Sequence, residues 1–151
     1  MQIAKDDLTD GAIADLLNRH LQEMHKYSPP ESIHAITPEK LRDPAVTFWA
    51  ARMNGELAGC AALKEHSAEL AELKSMKTSP VHLRKGVAKN LLHQVFAEAK
   101  ERGYQTVKLE TGSHEAFVPA VALYQQFGFE PCAPFADYSD DPYSLFFVKR
   151  L

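Results

Sequence analysis

The chain has 151 residues, 45% of them hydrophobic and 25% charged, with a formal net charge of −3. That length suits one domain with a buried core, and the acidic balance excludes a general nucleic-acid binder, which carries a strong basic excess. Two cysteines make no disulfide scaffold, no apolar run approaches the roughly 20 residues of a membrane span, and residues 1–10 lack a signal-peptide core, so a reduced cytoplasmic protein is expected.

Residues 2–5 read as a short edge strand. Residues 10–26 read as a helix whose apolar face is Ile13, Leu16, Leu17 and Leu21, with Thr9 or Asp10 as its cap. Tyr27-Ser28-Pro29-Pro30 ends it, because proline cannot continue a helix. Thr37-Pro38-Glu39-Lys40 has the form of a cap with proline at the first helical position, for a short helix ending near Asp43-Pro44. Residues 45–53, rich in Val, Thr, Phe and Trp, read as a strand, with Trp49 in the core. Asn54-Gly55 is a hairpin turn, and residues 56–65 return as the partner, where Gly59 marks a bulge or a close backbone approach. A turn near His66-Ser67 leads into a third strand, residues 69–78.

Ser79-Pro80 stops that strand, and a polar loop, residues 82–88, follows. The next helix has Val87, Leu91, Leu92, Val95, Phe96 and Ala99 on one face, a Glu98–Arg102 pair on the other, and Gly103 as its C-cap. Residues 104–111 form a strand parallel to the one before the helix if the unit is a right-handed crossover. A second helix at residues 119–127 closes at Gly128, Phe129 begins another extended segment, and residues 144–151 are the last strand. The order is α/β, with a hairpin-rich first half and a β-α-β second half.

The clearest chemistry lies between residues 69 and 100. A strand, a short loop and a helix N-terminus converge there with Arg84, Lys85 and Lys89. Free backbone N–H groups at a helix start suit a phosphate, and Gly86 and Ala88 leave room for close approach. Taken alone, the same loop also reads as an ordinary strand-to-helix connection with a solvated basic face.

Two segments together carry a resemblance. The window Leu83-Arg84-Lys85-Gly86-Val87-Ala88 resembles the signature of the GNAT superfamily of acyl-CoA N-acyltransferases: Gln or Arg, two residues, Gly, one residue, then Gly or Ala. Leu83 stands where the family has Gln or Arg. Downstream, Ala120, Leu123, Tyr124, Gly128 and Phe129 resemble the family's Ala-x-x-Leu-Tyr-x-x-x-Gly-Phe segment, with Phe117 where the family often has Asn. Phe135-Ala136-Asp137-Tyr138 resembles the tail of a bacterial subgroup, without an assigned role.

The resemblance implies a mixed, mostly antiparallel central sheet with the parallel β-α-β unit at its centre and helices on both faces. It implies acetyl-CoA as co-substrate, no metal, and direct attack of an amine on the thioester. Such attack needs a neutral amine, a donor for the developing oxyanion and a proton for the leaving thiolate. The family's positions place Tyr124 as general acid. They place backbone groups of Met76, Lys77 and Thr78 at the oxyanion and pantetheine, and Arg84, Lys85, Gly86, Val87, Ala88 and Lys89 at the pyrophosphate.

Glu72, four residues before Met76, stands where protein-acetylating members of the family carry a catalytic Glu; the resemblance implies it as the candidate base, and burial would raise its pKa. Glu110 is the other candidate, on the strand face of Thr106 and Lys108. Tyr27, Ser28 and His34 are candidate substrate contacts, and a homodimer is expected on family grounds.

Blander readings stand beside these. Tyr124 also reads as a core residue beside Leu123 and Phe127, a reading the Leu-Tyr and Gly-Phe frame outweighs, and Glu72 as a solvent-facing carboxylate paired with Lys74 or Lys64. Cys60 and Cys132 lack an activating context and read as packing. The seven histidines show no metal spacing, and His82 and His114 read as surface residues near the site mouth. The alternative function is a non-catalytic acyl-CoA-binding module that regulates a partner. A generic nucleotide-phosphate binder ranks last, for want of a Walker Lys-Ser/Thr or a three-glycine fingerprint. The acceptor stays open among small amines, peptide termini and lysine side chains.

Overall fold

The computed structural model describes residues 1–34 and 42–151. Its strands are β1 (Gln2–Asp6), β2 (Val46–Met53), β3 (Glu56–Glu65), β4 (Leu70–Thr78), β5 (Thr106–Gly112), β6 (Glu130–Pro131) and β7 (Ser144–Arg150). The helices are α1 (Ala12–Met24), α2 (Val87–Glu101) and α3 (Val118–Gln126). They follow the expected elements within a residue or two, except that α1 stops at Met24 and a turn carries the chain on to Ser28. The short helix expected from Thr37 begins outside the described residues.

The sheet order is β1-β2-β3-β4-β5-β7-β6, with β1 at one edge. Only β4 and β5 pair in parallel, joined by α2; every other neighbour is antiparallel. Both residues of the Asn54-Gly55 turn have positive φ, 52° and 82°, which matches a two-residue hairpin to the strand twist.

Strand alternation divides the core between the two faces. Trp49, Ala51, Ala61, Leu63, Ala71, Leu73, Val107 and Leu109 pack toward α2 and α3. Phe48, Ala50, Cys60 and Ala62 pack against Ile13 and Leu16 of α1. The face of α2 is the expected one: its six apolar residues are all buried, each contributing about 1.5–3 kcal/mol for a large side chain. On the wet side Arg102 Nε donates to Glu98 Oε2 at 2.8 Å. Asp10 contributes at the start of α1, its Oδ1 accepting from the Ala12 N–H at 3.0 Å, while Gly11 holds the cap position itself.

Two irregularities shape the site. The β2–β3 register shifts between Ala51 and Arg52, next to Gly59. A Cβ on Gly59 would lie 2.7 Å from Val87 Cγ1 and 2.8 Å from the Lys77 carbonyl oxygen. Both readings of this glycine hold, bulge and close approach. Gly59→Val is therefore expected to push the start of α2 off the sheet, lowering Tm and weakening acetyl-CoA binding together. Thermal melts and a binding titration check this; an unchanged affinity would mean the helix start is not held here.

The second irregularity is in β4. Ala62 pairs with Lys74 and Cys60 with Lys77, so β4 carries one extra residue, and Ser75 takes φ 54°. The bulge reverses alternation: Glu72 and Lys74 face α1, Met76 turns to the α2 core, and Lys77 faces α1 again, within 3.7 Å of Glu23.

Candidate active site

The β4–β5 ladder is short. Pairing runs from Leu70↔Thr106 to Glu72↔Lys108 and then stops. Beyond it the two strands diverge, and both line a cavity of about 890 Å³. A strand that leaves its neighbour presents unpaired N–H and C=O groups. Met76, Lys77 and Thr78 lie on this stretch of β4, and Leu109 to Gly112 of β5 face it across the opening.

The loop after β4 ends at the same cavity. Arg84 (φ 63°) and Gly86 (φ 79°) both take left-handed conformations, and α2 begins with no side-chain cap. The first N–H groups of α2 are thus left for an external acceptor. Arg84, Gly86, Val87, Ala88 and Lys89 line the cavity; Lys85 does not. Leu83, at the position of the missing Gln or Arg, is exposed and lines the mouth. Asn90 Nδ2 donates to the Gly86 carbonyl at 2.8 Å, which steadies the turn.

The diverging strands, the uncapped helix start and the cations fit a long anionic ligand with an amide-bearing arm. Among the described residues, no three His, Cys, Asp or Glu side chains come together as a metal site.

Tyr124 projects from α3 and is nearly fully buried, its ring 5.8 Å from that of Phe129. Burial, then the charge of Glu110, pushes its hydroxyl up to about 12. It therefore stays protonated through the neutral range. It belongs to the core cluster and also lines the cavity.

Glu72 and Glu110 both project from the α1 face into the same end of the cavity. Glu72 is 2% exposed, so it is not the solvent-facing carboxylate of the blander reading. Its Oε1 meets His66 Nε2 at 2.7 Å. Its Oε2 accepts from Lys74 Nζ at 3.3 Å and from the Tyr138 hydroxyl at 2.6 Å. Glu110 is less encumbered: Ser144 Oγ donates to its Oε2 at 2.7 Å. Burial raises its pKa, against the hydrogen bond from Ser144 and the nearby His34 and Lys74.

The far wall is aromatic. Tyr27 stacks on His114 at 4.5 Å and meets Phe117 edge-on at 6.3 Å. The Phe117 ring lies directly over the bare Cα of Gly112. His34 packs edge-on against Tyr138 at 4.9 Å, and Ser28 completes the rim. Ser32 Oγ donates to Asp141 Oδ2 at 2.5 Å, tying the segment after α1 to the one before β7.

Tyr138 and His66 were missed as site residues on the sequence. Tyr138 sits in a segment without regular structure, and only the motif Phe135–Tyr138 pointed toward it. Burial and the neighbouring Glu72 carboxylate raise its pKa far above the usual phenol range. His82 also differs from its expected surface place: it is 6% exposed, with Nε2 3.7 Å from Glu56 Oε2. Cys60 is core, its thiol pushed up to about 12 by burial, which leaves almost no thiolate for nucleophilic chemistry.

The chain resembles known proteins along its whole length. Residues 12–129 match the Acetyltransferase (GNAT) family. YsnE of Bacillus subtilis, described as an uncharacterized N-acetyltransferase, is 54% identical over 151 residues and covers all of both chains. The IAA acetyltransferase of Azospirillum brasilense is 32% identical, covering 99% of this chain and 97% of its own. The crystal structure of a putative acyl-CoA N-acyltransferase from Klebsiella pneumoniae superposes with a TM-score of 0.80 at 28% identity, covering 99% and 97% of the two chains. The chain belongs to the GNAT acetyltransferase family and is an N-acetyltransferase whose co-substrate is acetyl-CoA.

Proposed function

We propose that this chain acts as a single acyltransferase domain that moves an acetyl group onto an amine held between Glu110 and Tyr124. The observation that carries the reading is that these two groups line one cavity, which also holds the uncapped start of α2 and the diverging end of β4. Burial keeps the phenol protonated and raises the carboxylate's pKa.

Bound acetyl-CoA supplies the acetyl thioester that an amine attacks. The N–H groups at the start of α2, with Arg84 and Lys89 beside them, hold its pyrophosphate. The free edge of β4 at Met76–Thr78 orients the pantetheine and donates to the thioester oxygen. Lys85, outside the cavity lining, contributes charge alone.

Glu110 attracts the acceptor ammonium and takes its proton; its raised pKa makes it a better base than an ordinary surface carboxylate. Tyr124 gives its proton to the departing thiolate. Glu72, held by three donors, orients Tyr138 and Lys74 and does not take the proton itself. Tyr27, Ser28 and His34 flank the acceptor. Both cysteines are free, which suits the reducing cytoplasm.

Release of CoA thiol from acetyl-CoA in the presence of a panel of amines tests the reading. Amine-dependent release is expected. Binding of acetyl-CoA with no release for any amine would favour the regulatory acyl-CoA-binding module instead.

A further inference from the structure

The acceptor end of the cavity has a charge pattern that restricts what it can hold. Its polar lining includes Ser32, His34, Glu72, Lys74, Glu110 and Tyr138, with the hydroxyls of Ser28 and Thr111 nearby. An ammonium has three N–H donors, and those of Lys74 are all committed: to the Tyr138 hydroxyl at 2.8 Å, to Glu72 Oε2 at 3.3 Å and to the His34 carbonyl at 3.4 Å. Glu72 is satisfied in the same cluster, with His66 on its other oxygen.

The other cations lining the cavity lie elsewhere. Lys77 pairs with Glu23 on α1, and Arg84 and Lys89 flank the start of α2. Among the described residues, then, no Lys or Arg at the acceptor end has a donor to spare. Glu110, in contrast, has Ser144 as its hydrogen-bond partner and a second oxygen for a ligand. Asp141, beside Ser32, adds negative charge at the rim. The remaining wall is aromatic, formed by Tyr27, Phe117 and Tyr138.

We infer that the acceptor is a primary amine on an apolar alkyl or aryl body, with no carboxylate beside the nitrogen. This rests on the transferase reading above. A cation gains from Glu110 and from the aromatic faces. A carboxylate next to that nitrogen would lie beside Glu110 and Glu72 with no free Lys or Arg among the described residues to pair with it, and like charges in a dry site repel strongly. Tyr138 sets this selectivity by position: it occupies a Lys74 N–H that would otherwise point at the ligand.

The test compares each amine with its parent amino acid, phenylethylamine against phenylalanine and isoamylamine against leucine, with acetyl-CoA and the full chain. The amine is expected to exceed the amino acid in kcat/KM by about 100-fold. Tyr138→Phe should narrow that gap to about tenfold, chiefly by raising the amino-acid rate, because one Lys74 N–H is released.

An amino acid used as well as its amine would overturn the inference. So would an unchanged gap in a folded Tyr138→Phe protein. Thiol release with peptide termini or lysine side chains, and none with either member of a pair, would overturn the inference alone. Acetyl-CoA binding with no release for any acceptor would overturn the transferase reading and the inference with it.

Discussion

Tyr124→Phe is expected to lower kcat for amine acetylation by about 100-fold or more while leaving the affinity for acetyl-CoA nearly unchanged. A positioned general acid contributes about 10²–10⁴-fold. The substitution removes one hydroxyl from a ring that is otherwise packed in the core beside Phe129. That packing is kept in Phe, so the variant should fold with a similar Tm. Because burial and the Glu110 charge push the hydroxyl up to about 12, the wild-type rate should show no alkaline limb from this group below that value. An unchanged kcat would reduce Tyr124 to a core residue. A loss of Tm together with kcat would point to packing as the cause.

The second large effect is Glu110→Gln. The amide keeps an oxygen to accept from Ser144 but removes the charge that attracts and deprotonates the acceptor, so kcat/KM for the amine should fall by about 100-fold or more. In the wild type, activity should be lost as pH falls through the pKa of Glu110, and that acid limb should lie above the ordinary carboxylate range, because burial raises this group from 4.5.

Stability should move the other way. A carboxylate whose pKa is raised in the fold binds its proton more tightly folded than unfolded. The fold therefore loses stability as pH rises from the unfolded value through the folded one, and stays lower above it. Glu110→Gln removes that loss. Its Tm should exceed the wild type's at pH 8, and the difference should vanish below about pH 4. Thermal melts across pH, set beside initial rates, check both signs. A variant less stable at pH 8 would mean that the charged form is favoured by the fold, and the base assignment would fail with it.

Several elements were legible in the sequence for physical reasons that are local. Asn54-Gly55 specifies its turn through positive φ. The spacing of Val87 to Ala99 specifies one face of α2. Gly59 declared a constraint that proved to be the approach of Val87 and the Lys77 carbonyl. The expectation that residues 84–89 hold a phosphate could be formed from the sequence because it depends on backbone and on a helix start.

The proposed acceptor end was less legible because it is assembled from distant segments. Glu72 reads as a base through the family resemblance, by its place four residues before Met76. Only the fold brings His66 from a turn and Tyr138 from the β6–β7 connection onto its carboxylate. That tertiary arrangement shifts the more available carboxylate to Glu110, which spacing left as the second candidate. The bulge at Ser75 was equally invisible, since nothing in Leu70–Thr78 announces that alternation reverses inside the strand. His82 was misplaced because loops are usually wet, whereas here the imidazole is buried.

The most direct measurement is a crystal structure with CoA bound. The pyrophosphate should sit on the N–H groups of residues 86–89, the pantetheine should pair with the free edge of β4 at Met76–Thr78, and the thiol should lie within hydrogen-bond reach of the Tyr124 hydroxyl. A pyrophosphate bound away from the start of α2, or a thiol turned away from Tyr124 and Glu110, would show that this cavity does not carry the transfer in the way proposed.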